Sequence, residues 1–600
     1  MTLDLGIASL ARRYAARDLT PSQLVESLIA TRNSFDTHNI WISKVPDESL
    51  RARARQLDGV DPTSLPLYGI PFAIKDNIDF AELPTTAACP AFAYQPASSA
   101  PVVQALLDAG AIALGKTNLD QFATGLVGTR SPHGACHNSF DPQYVSGGSS
   151  SGSAVAVALG LASFALGTDT AGSGRVPAAY NNLIGYKPTH GLLSMRGVVP
   201  ACRTLDTVSV FALTAEDAAR VATVAARFDV QDPWSRPLPR AARRGWGSGR
   251  FCFGVPHAAQ LEFFGNDAYA RLFSEAAVRL ESLGGERCEV DIAPLLETAR
   301  LLYEGPWVAE RYLATQALLE SNPEAMLPVT RGIIQAGAAP RALDAFRGNY
   351  RLRGLVRAAA PLWQSCDLLL LPTAGTHYRI AEVEADPVAL NSNLGRYTNF
   401  VNLMDLAAVA VPADFTPAGL PFGISLIAPA GSDADLLSLA GRAQRAAATG
   451  LGASRRALPP APATSAAAPA DLVDVMVCGA HMSGLPLNPQ LLERGARHVA
   501  TTRTAPIYRF YALPGGPPFR PGLVQVSEGG VAIDVEVWRM PLEHFGSFVA
   551  GIPAPLGIGK VRLEDGSLVS GFLCEAVAVA GADDISPLGG WRQYLRSRKQ

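Results

Sequence analysis

The chain has 600 residues, of which 48% are hydrophobic and 17% are charged. This composition is typical of a folded globular protein and excludes a disordered or fibrous chain. At about 150 residues per domain the length predicts more than one domain, and a net charge of −2 without a long basic run argues against nucleic acid as a partner.

Three segments show a helical pattern of apolar positions followed by a short apolar run. They are residues 101–116, 270–292 and 356–371. This alternation predicts an α/β fold in which helices cover a large mixed β-sheet. Residues 154–166 are apolar throughout, but small and hydroxylated residues precede them, so we expect a buried core helix there and not a membrane span.

The composition changes near residue 456. A stretch rich in Pro, Ala and Ser, without apolar periodicity, predicts a linker over residues 456–471. We therefore expect a first domain over residues 1–455 and a second over residues 472–600. The second contains strand-like apolar runs separated by Gly, Pro and Asp turns, which predicts a small β-rich α+β domain.

Eight cysteines are scattered along the chain without a CxxC pair, and no secretory leader precedes them. This usage predicts a reduced, cytoplasmic location. One spacing suggests zinc, because His133 and His137 stand four positions apart with Cys136 between them. Pro132 and Gly134 break the helix that such a pair requires, so we expect no metal site.

Two loops rich in glycine and serine lie within residues 146–177. Glycine lets the backbone approach a ligand closely and leaves N–H groups and hydroxyls directed at one point, as an oxyanion hole requires. The alternatives are a flexible loop and a phosphate cradle. The cradle is disfavoured because the chain lacks the GxxxxGKS/T pattern of nucleotide-binding loops.

A serine nucleophile needs a base, and the chain lacks the GxSxG elbow of serine hydrolases that use histidine. Lys75 follows a short apolar run, where burial would lower its pKa and let it accept a proton. The alternative is an ion pair of Lys75 with Asp76 or Asp79 at the end of a strand.

Lys75, the GGSSSG loop at residues 147–152 and GTDTAGSGRVP at residues 167–177 together resemble the amidase signature hydrolases. The resemblance implies that Ser173 is the nucleophile, that Ser149 follows a cis peptide and relays protons, and that Lys75 is the base. It also implies an oxyanion hole formed by the backbone amides of Thr170, Ala171, Gly172 and Ser173.

Residues 118–134 and 301–312 resemble segments of the allophanate hydrolases, a branch of that family. The first segment contains Gly125, and the second contains Tyr303 and Arg311. The resemblance implies that all three residues bind the substrate.

A bend in the second segment would bring the last two of these side chains together. Gly305 and the proline after it are expected to end one helix and begin the next, so that Tyr303 and Arg311 face one pocket. An arginine fork and a phenol hydroxyl would there bind the carboxylate of allophanate. The alternative is a surface ion pair of Arg311 with Glu304 or Glu310, worth about 0–1 kcal/mol.

Residues 477–488 resemble the C-terminal domain of allophanate hydrolases, which implies a γ-glutamylcyclotransferase-like fold. The resemblance implies a catalytic role for His481, a residue type whose pKa suits proton transfer near neutral pH. Lys560, expected in a glycine turn, is a candidate cation for an anionic intermediate. The alternatives are a core histidine and a solvated hairpin lysine.

The function that the resemblance implies is the hydrolysis of allophanate to ammonia and carbon dioxide. The first domain would release ammonia and N-carboxycarbamate, and the second would assist decarboxylation. A broad-specificity amidase and a glutamine amidotransferase subunit that supplies ammonia to a partner are the alternatives. We expect a homodimer that acts on a small molecule, allophanate, without a cofactor, a metal, nucleic acid or a membrane.

Overall fold

The structure is a computed structural model that describes residues 4–237, 246, 249–460 and 472–598. The chain divides into two compact units, Met1–Pro460 and Ala461–Gln600. Most of the linker predicted over residues 456–471 lies outside the described residues. Within the described ranges, no helix is long and apolar enough to cross a bilayer.

One mixed sheet forms the centre of the first unit. Its strands are β1 (Trp41–Lys44), β2 (Pro71–Lys75), β3 (Ile112–Thr117), β4 (Phe164–Asp169), β5 (Ile184–Lys187), β6 (Thr207–Ala212), β7 (Phe251–Pro256), β8 (Gly285–Val290), β9 (Leu368–Pro372), β10 (Leu406–Phe415) and β11 (Pro421–Pro429). Their order is β1-β3-β2-β4-β6-β5-β10-β11-β9-β7-β8. Strand β2 is parallel to β3 and β4, and β7 is parallel to β8 and β9. The other neighbouring strands are antiparallel.

The sheet alternates along the chain with helices, several of which pack against it, and this confirms the predicted α/β fold. They are α1 (Ile7–Ala15), α2 (Pro21–Thr31), α3 (Asp47–Asp58), α4 (Pro101–Asp108), α5 (Ser151–Ala158), α6 (Val176–Tyr180), α7 (Ala215–Ala225), α8 (Asp267–Ser282), α9 (Ala293–Glu304), α10 (Val308–Ser321), α11 (Pro328–Gln335), α12 (Ala342–Ala359), α13 (Leu362–Ser365), α14 (Ile380–Ala385), α15 (Ala389–Leu394), α16 (Phe400–Leu403) and α17 (Asp433–Ala447). Helix α17 packs on β10, and α5 packs on β4.

The pairing of β2 with β4 determines where the two strands end. Phe72 pairs with Phe164 and Ile74 pairs with Leu166 in parallel register. Because the strands are parallel, the carboxyl end of β2, which carries Lys75, lies at the same edge of the sheet as the loop after β4. Both strands are buried along their whole length, so their sequences are nearly continuous apolar runs.

The structure corrects one sequence-based assignment in this region. The helix predicted over residues 154–166 is wrong, because α5 ends at Ala158 and β4 begins at Phe164. A strand that is buried on both faces shows no alternation of polar and apolar residues, so its sequence resembles that of a core helix. Gly160 permits the turn between the two elements, with a φ of +72°. The helix–strand pairs predicted at 101–116, 270–292 and 356–371 are all present.

The second unit is rich in β-structure, as predicted. Its strands are β12 (Leu472–Val477), β13 (Arg497–Arg503), β14 (Tyr508–Ala512), β15 (Pro521–Gln525), β16 (Asp534–Pro541), β17 (Leu556–Arg562), β18 (Leu568–Cys574) and β19 (Asp583–Asp584), and its helices are α18 (Pro489–Leu492), α19 (Leu542–Ala550) and α20 (Trp591–Ser597). The strands form a sheet of order β13-β16-β12-β18-β17 and a smaller sheet of order β15-β14-β19. A separate apolar core that includes Trp538 and Trp591 stabilises the unit.

The aromatic pair between β2 and β4 gives a test of this fold. The rings of Phe72 and Phe164 are stacked with centroids 5.1 Å apart, and both are fully buried. Phe164→Ala should lower the free energy of unfolding of the first unit by about 3–5 kcal/mol, because it removes the stack and leaves a cavity. Phe228→Ala is the matched control, since that side chain is 57% exposed and its loss should cost less than about 0.5 kcal/mol. Urea unfolding of both variants measures the difference, and equal losses would contradict the prediction.

Candidate active site

The amine of Lys75 lies at the end of β2 and is completely buried. Its Nζ is 2.7 Å from Ser149 Oγ and 2.7 Å from Thr168 Oγ1. The alternative ion pair of Lys75 with Asp76 is not formed. Asp76 instead pairs with Lys116, whose Nζ lies 3.3 Å from the carboxylate.

The environment of Lys75 favours its neutral form. Burial lowers the pKa of Lys75 to about 7, although the carboxylates of Asp120, Asp206 and Asp169 oppose this shift. The positive charge of Arg311 lowers the pKa further. A substantial fraction of Lys75 is therefore unprotonated near neutral pH and able to accept a proton through the hydroxyl that it contacts.

The first glycine and serine loop places Ser149 beside this lysine. The peptide bond between Gly148 and Ser149 is cis. The hydroxyl of Ser150 donates to the backbone oxygen of Thr168 at 3.1 Å, which ties the loop to β4. Helix α5 begins directly afterwards, at Ser151.

The second loop, between β4 and α6, carries Ser173. An ion pair holds this loop in place: Arg175 Nε and Nη2 each lie 2.9 Å from the carboxylate of Asp169. The same carboxylate accepts the backbone N–H groups of Gly172 and Gly174 at 2.9 and 3.0 Å. Burial alone would raise the pKa of Asp169, but Arg175 and these donors hold it below its ordinary value.

The two loops are joined by one side chain. Asn181 Nδ2 donates to the backbone oxygen of Ser146 and to that of Pro177, each at 2.8 Å. Ser149 and Ser173, which the sequence analysis assigned to one reaction, are therefore carried by connected loops at one edge of the sheet.

The geometry changes the predicted oxyanion hole at one position. The amide of Gly172 is used to hold the loop on Asp169 and does not point to a free site. In the described part of the chain, the backbone amides of Thr170, Ala171 and Ser173 have no such acceptor. Gly172 has a φ of +128°, so its role is to allow the turn that leaves these amides free.

Sequence reasoning missed the carboxylate that fixes the start of this loop. Asp206 accepts a hydrogen bond from the hydroxyl of Thr170. It also accepts the backbone N–H groups of Ala201 and Cys202, at 2.8 and 3.1 Å. Burial raises the pKa of Asp206 to about 6. No local pattern identifies Asp206, because it lies 36 residues from its partner Thr170.

Tyr303 and Arg311 come together, as the bend predicted. Arg311 Nη2 lies 3.5 Å from Tyr303 Oη, and Arg311 Nη1 lies 3.0 Å from the hydroxyl of Thr124. Arg311 is buried, which rules out the surface ion pair considered for it. The helix boundaries differ slightly from expectation, since α9 ends at Glu304 but α10 begins only at Val308, two residues after the proline.

Gly125 lies next to Thr124 and against a buried carboxylate that sequence reasoning also missed. A Cβ at Gly125 would lie 2.6 Å from Asp120 Oδ2, so only glycine fits. Asp120 accepts the backbone N–H groups of Val127, Gly128 and Arg130 at 3.2, 3.0 and 2.9 Å. A carboxylate just before a glycine-rich turn is the signal that could have identified it.

The histidines considered for zinc are used differently. The Nδ1 atom of His137 lies 2.6 Å from the backbone oxygen of Pro142. Burial raises the pKa of Cys136 to about 12. Among the described residues, no group of three His, Cys, Asp or Glu side chains is arranged to hold a metal ion.

In the second unit, His481 is a half-buried residue. Its ring stacks on Phe572, with centroids 5.1 Å apart, and meets the edge of Phe548 at 5.3 Å. Its Nε2 lies 3.1 Å from Gln490 Oε1. Burial lowers the pKa of His481, and the positive charges of Arg520 and Arg494 lower it further.

Lys560 does not lie in a glycine turn, and that prediction is wrong. It is on strand β17, because the run of glycine and apolar residues pairs with β18 in regular antiparallel register. Its Nζ lies 3.2 Å from Ser570 Oγ, the residue opposite it in the sheet.

Comparisons with known proteins identify the family of each unit. The family model described as Amidase matches residues 23–437, and the model described as Allophanate hydrolase C-terminal domain matches residues 473–596. Urea amidolyase of Saccharomyces cerevisiae is 44% identical over 594 residues, which are 96% of this chain and 32% of that protein. The chain thus spans about a third of the length of this relative.

Other relatives match over most of their own length. A glutamyl-tRNA(Gln) amidotransferase subunit of Prochlorococcus marinus is 33% identical, over 74% of this chain and 97% of that one. The solved structure of allophanate hydrolase from Kluyveromyces lactis is 42% identical, with a TM-score of 0.75, and the match covers 98% of this chain and 99% of that one. The chain therefore belongs to the amidase signature family and, within it, to the allophanate hydrolases.

Proposed function

We propose that this protein hydrolyses allophanate, and that the contact between Lys75 and Ser149 begins the reaction. The 2.7 Å distance between Lys75 Nζ and Ser149 Oγ supports a proton path from a serine hydroxyl to a buried amine. Ser173 is the nucleophile in this proposal. As Ser173 Oγ attacks the terminal amide carbon, its proton passes to Ser149, and the proton of Ser149 passes to Lys75.

The loop that carries Ser173 then stabilises the oxyanion, and the same proton relay protonates the leaving group. The amides of Thr170, Ala171 and Ser173 stabilise the negative charge on the carbonyl oxygen. The relay returns a proton to the nitrogen, the carbon–nitrogen bond breaks, and ammonia leaves an acyl group on Ser173. Water then attacks that ester by the same route and releases N-carboxycarbamate.

The pair of Arg311 and Tyr303 favours an anionic amide over the neutral substrates of a broad-specificity amidase, and the second unit at residues 473–596 argues against an amidotransferase subunit. Arg311 makes hydrogen bonds to neutral groups, and it has no ion-pair partner among the described residues. The carboxylates of Asp206 and Glu310 act on Arg311 only from a distance, so its guanidinium is left without an anion in direct contact, a place that the substrate can fill. The carboxylate of allophanate supplies that anion, whereas a neutral amide does not.

The second unit completes the reaction in this proposal. N-carboxycarbamate loses carbon dioxide, and its nitrogen must gain a proton as the carbon–nitrogen bond breaks. We assign that proton to His481. Carbamate remains, and it gains a proton on nitrogen as a second carbon dioxide leaves, so one allophanate, one water and one proton give two ammonia and two carbon dioxide.

Carbon-13 NMR of labelled allophanate tests both steps in the full chain. Ser173→Ala should slow loss of allophanate by at least about a thousandfold, because the members of a catalytic relay act as a unit. His481→Ala should leave that loss intact and raise the transient level of N-carboxycarbamate at early times.

Ser163→Ala is the matched control for the nucleophile. Ser163 is also fully buried beside β4, and its hydroxyl has no hydrogen-bond partner among the described residues. The control should hydrolyse allophanate like the parent protein. Hydrolysis at the parental rate by Ser173→Ala would refute the assignment of the nucleophile.

The lowered pKa of Lys75 predicts the pH dependence of the first step. Because the neutral amine is the active form and the pKa is about 7, kcat/KM should rise with pH through this region and then level off. Initial rates with malonamate, from about pH 6 to pH 9, measure the ascending limb.

Two variants identify the group responsible for this limb. Lys75→Met should abolish hydrolysis. Lys187→Met is the control, because Lys187 is another buried lysine, with a pKa lowered by burial to about 8, and it donates to the backbone oxygens of Pro188 and Leu406. The proposed base would be contradicted if the pH at which kcat/KM rises shifted in Lys187→Met while the same rise persisted in Lys75→Met.

The proposed binding of the substrate carboxylate by Arg311 gives a further prediction. Arg311→Ala removes charge-assisted hydrogen bonds worth about 1.5–3 kcal/mol, so kcat/KM for malonamate should fall on the order of tenfold to a hundredfold. Malonamide has the same size without the charge, and its hydrolysis should change far less. Equal losses for both substrates would mean that Arg311 stabilises the fold and does not read the carboxylate.

A further inference from the structure

The second unit contains a cavity of about 180 Å³ next to His481. Its polar lining consists mainly of His481, Gln490 and Arg520, and its apolar lining includes Leu487, Leu556 and Phe572. None of the described residues that line it is Asp or Glu. The cavity therefore presents one permanent positive charge and one titratable ring, without a negative charge.

Arg520 differs from the other half-buried arginines that the structure describes in this unit. Its side chain is half-buried, yet no described residue accepts a hydrogen bond from its guanidinium or forms an ion pair with it. Arg509 and Arg592 each pair with a carboxylate, at 3.3 and 2.9 Å. A half-buried cation that faces a cavity and lacks a counter-ion indicates that an anion is to be bound.

The histidine in the same cavity is held in a fixed orientation. Phe572 stacks on the ring of His481, Phe548 meets its edge, and Gln490 contacts Nε2 at 3.1 Å. Lys560, by contrast, does not line the cavity and contacts Ser570 instead. The cation available to a ligand beside His481 is thus an arginine from the loop before β15.

We propose that this cavity is a binding site for a small carboxylate, and that Arg520 holds the carboxylate beside His481. This inference rests on the proposed function for the identity of the natural ligand, N-carboxycarbamate. The planar fork of an arginine matches the two oxygens of a carboxylate, and the cavity accepts a molecule of that size.

The proximity of Arg520 and His481 to one cavity also explains how His481 would become protonated when a ligand binds. Burial and the charges of Arg520 and Arg494 disfavour a protonated His481, while Gln490 favours it. A bound carboxylate offsets the charge of Arg520, so protonation of the ring becomes easier once the ligand is present. During decarboxylation one carbon–nitrogen bond breaks, its electron pair stays on nitrogen, carbon dioxide leaves, and His481 gives its proton to that nitrogen.

Malonate, a stable dicarboxylate, is the probe for this site in the full chain. With histidine labelled at carbon-13 Cε1, the His481 signal is assigned by its absence in His481→Ala. Malonate should shift this signal in the parent protein. Arg520→Gln should weaken that binding by at least about tenfold, because a charge-assisted bidentate contact is lost.

Arg494→Gln is the matched control. Arg494 also acts electrostatically on His481, but it does not line the cavity and is engaged with Ser547 and the backbone of Gln490. Removal of its charge should change malonate affinity by less than about threefold. Equal weakening in both variants, or unchanged binding in Arg520→Gln, would overturn the proposal.

Decay of labelled N-carboxycarbamate in the same variants separates this inference from the proposed function. If Arg520→Gln no longer binds malonate and N-carboxycarbamate also accumulates, the carboxylate site and the proposed function are both supported. If malonate binding is lost while the intermediate decays at the parental rate, the carboxylate site stands and the role of the second unit in decarboxylation is wrong.

Discussion

The removal of the Lys75 amine from water is the constraint on which the catalytic edge of the first unit depends. A lysine on an exposed strand end would be protonated near neutral pH and could not serve as a base. Here the fully buried strands β2 and β4 enclose it, and Ser149 and Thr168 are its hydrogen-bond partners. Neither partner carries a charge, so neither stabilises the ammonium form as a carboxylate in contact would.

Three buried carboxylates surround this amine without touching it. Asp120, Asp169 and Asp206 each accept at least two backbone N–H groups, and each thereby fixes the shape of one loop. Their charges oppose the effect of burial on Lys75 and hold its pKa near 7. The same groups thus position the loops around Ser173, the proposed nucleophile, and set the basicity of the amine, so loop geometry and the proposed proton transfer depend on the same carboxylates.

The parts of the site that local sequence reveals are those with an unusual local composition. The glycine and serine loops were predictable because few structures require such residues in a buried setting, whereas Lys75 was assigned as the base by the family resemblance, since its residue type alone also allowed an ion pair with Asp76 or Asp79. Asp206 and Arg520 were not, since each acquires its role from residues far away in the chain. Lys560 was misplaced for a related reason, because alternating glycines suggest a turn, whereas strand β18 pairs with this segment throughout and makes it a strand.

Arg311 and Arg520 show one physical principle in two unrelated folds. Arg311 is buried and Arg520 is half-buried, each lies beside a residue proposed to act on the substrate, and neither has a carboxylate in direct contact among the described residues. An internal acid would neutralise the charge and compete with the ligand. In the two proposals, no acid is in contact with either cation, so the contact that offsets its loss of hydration comes from a ligand with a negative charge. Selectivity for a carboxylate then follows from the missing partner as much as from the arginine itself.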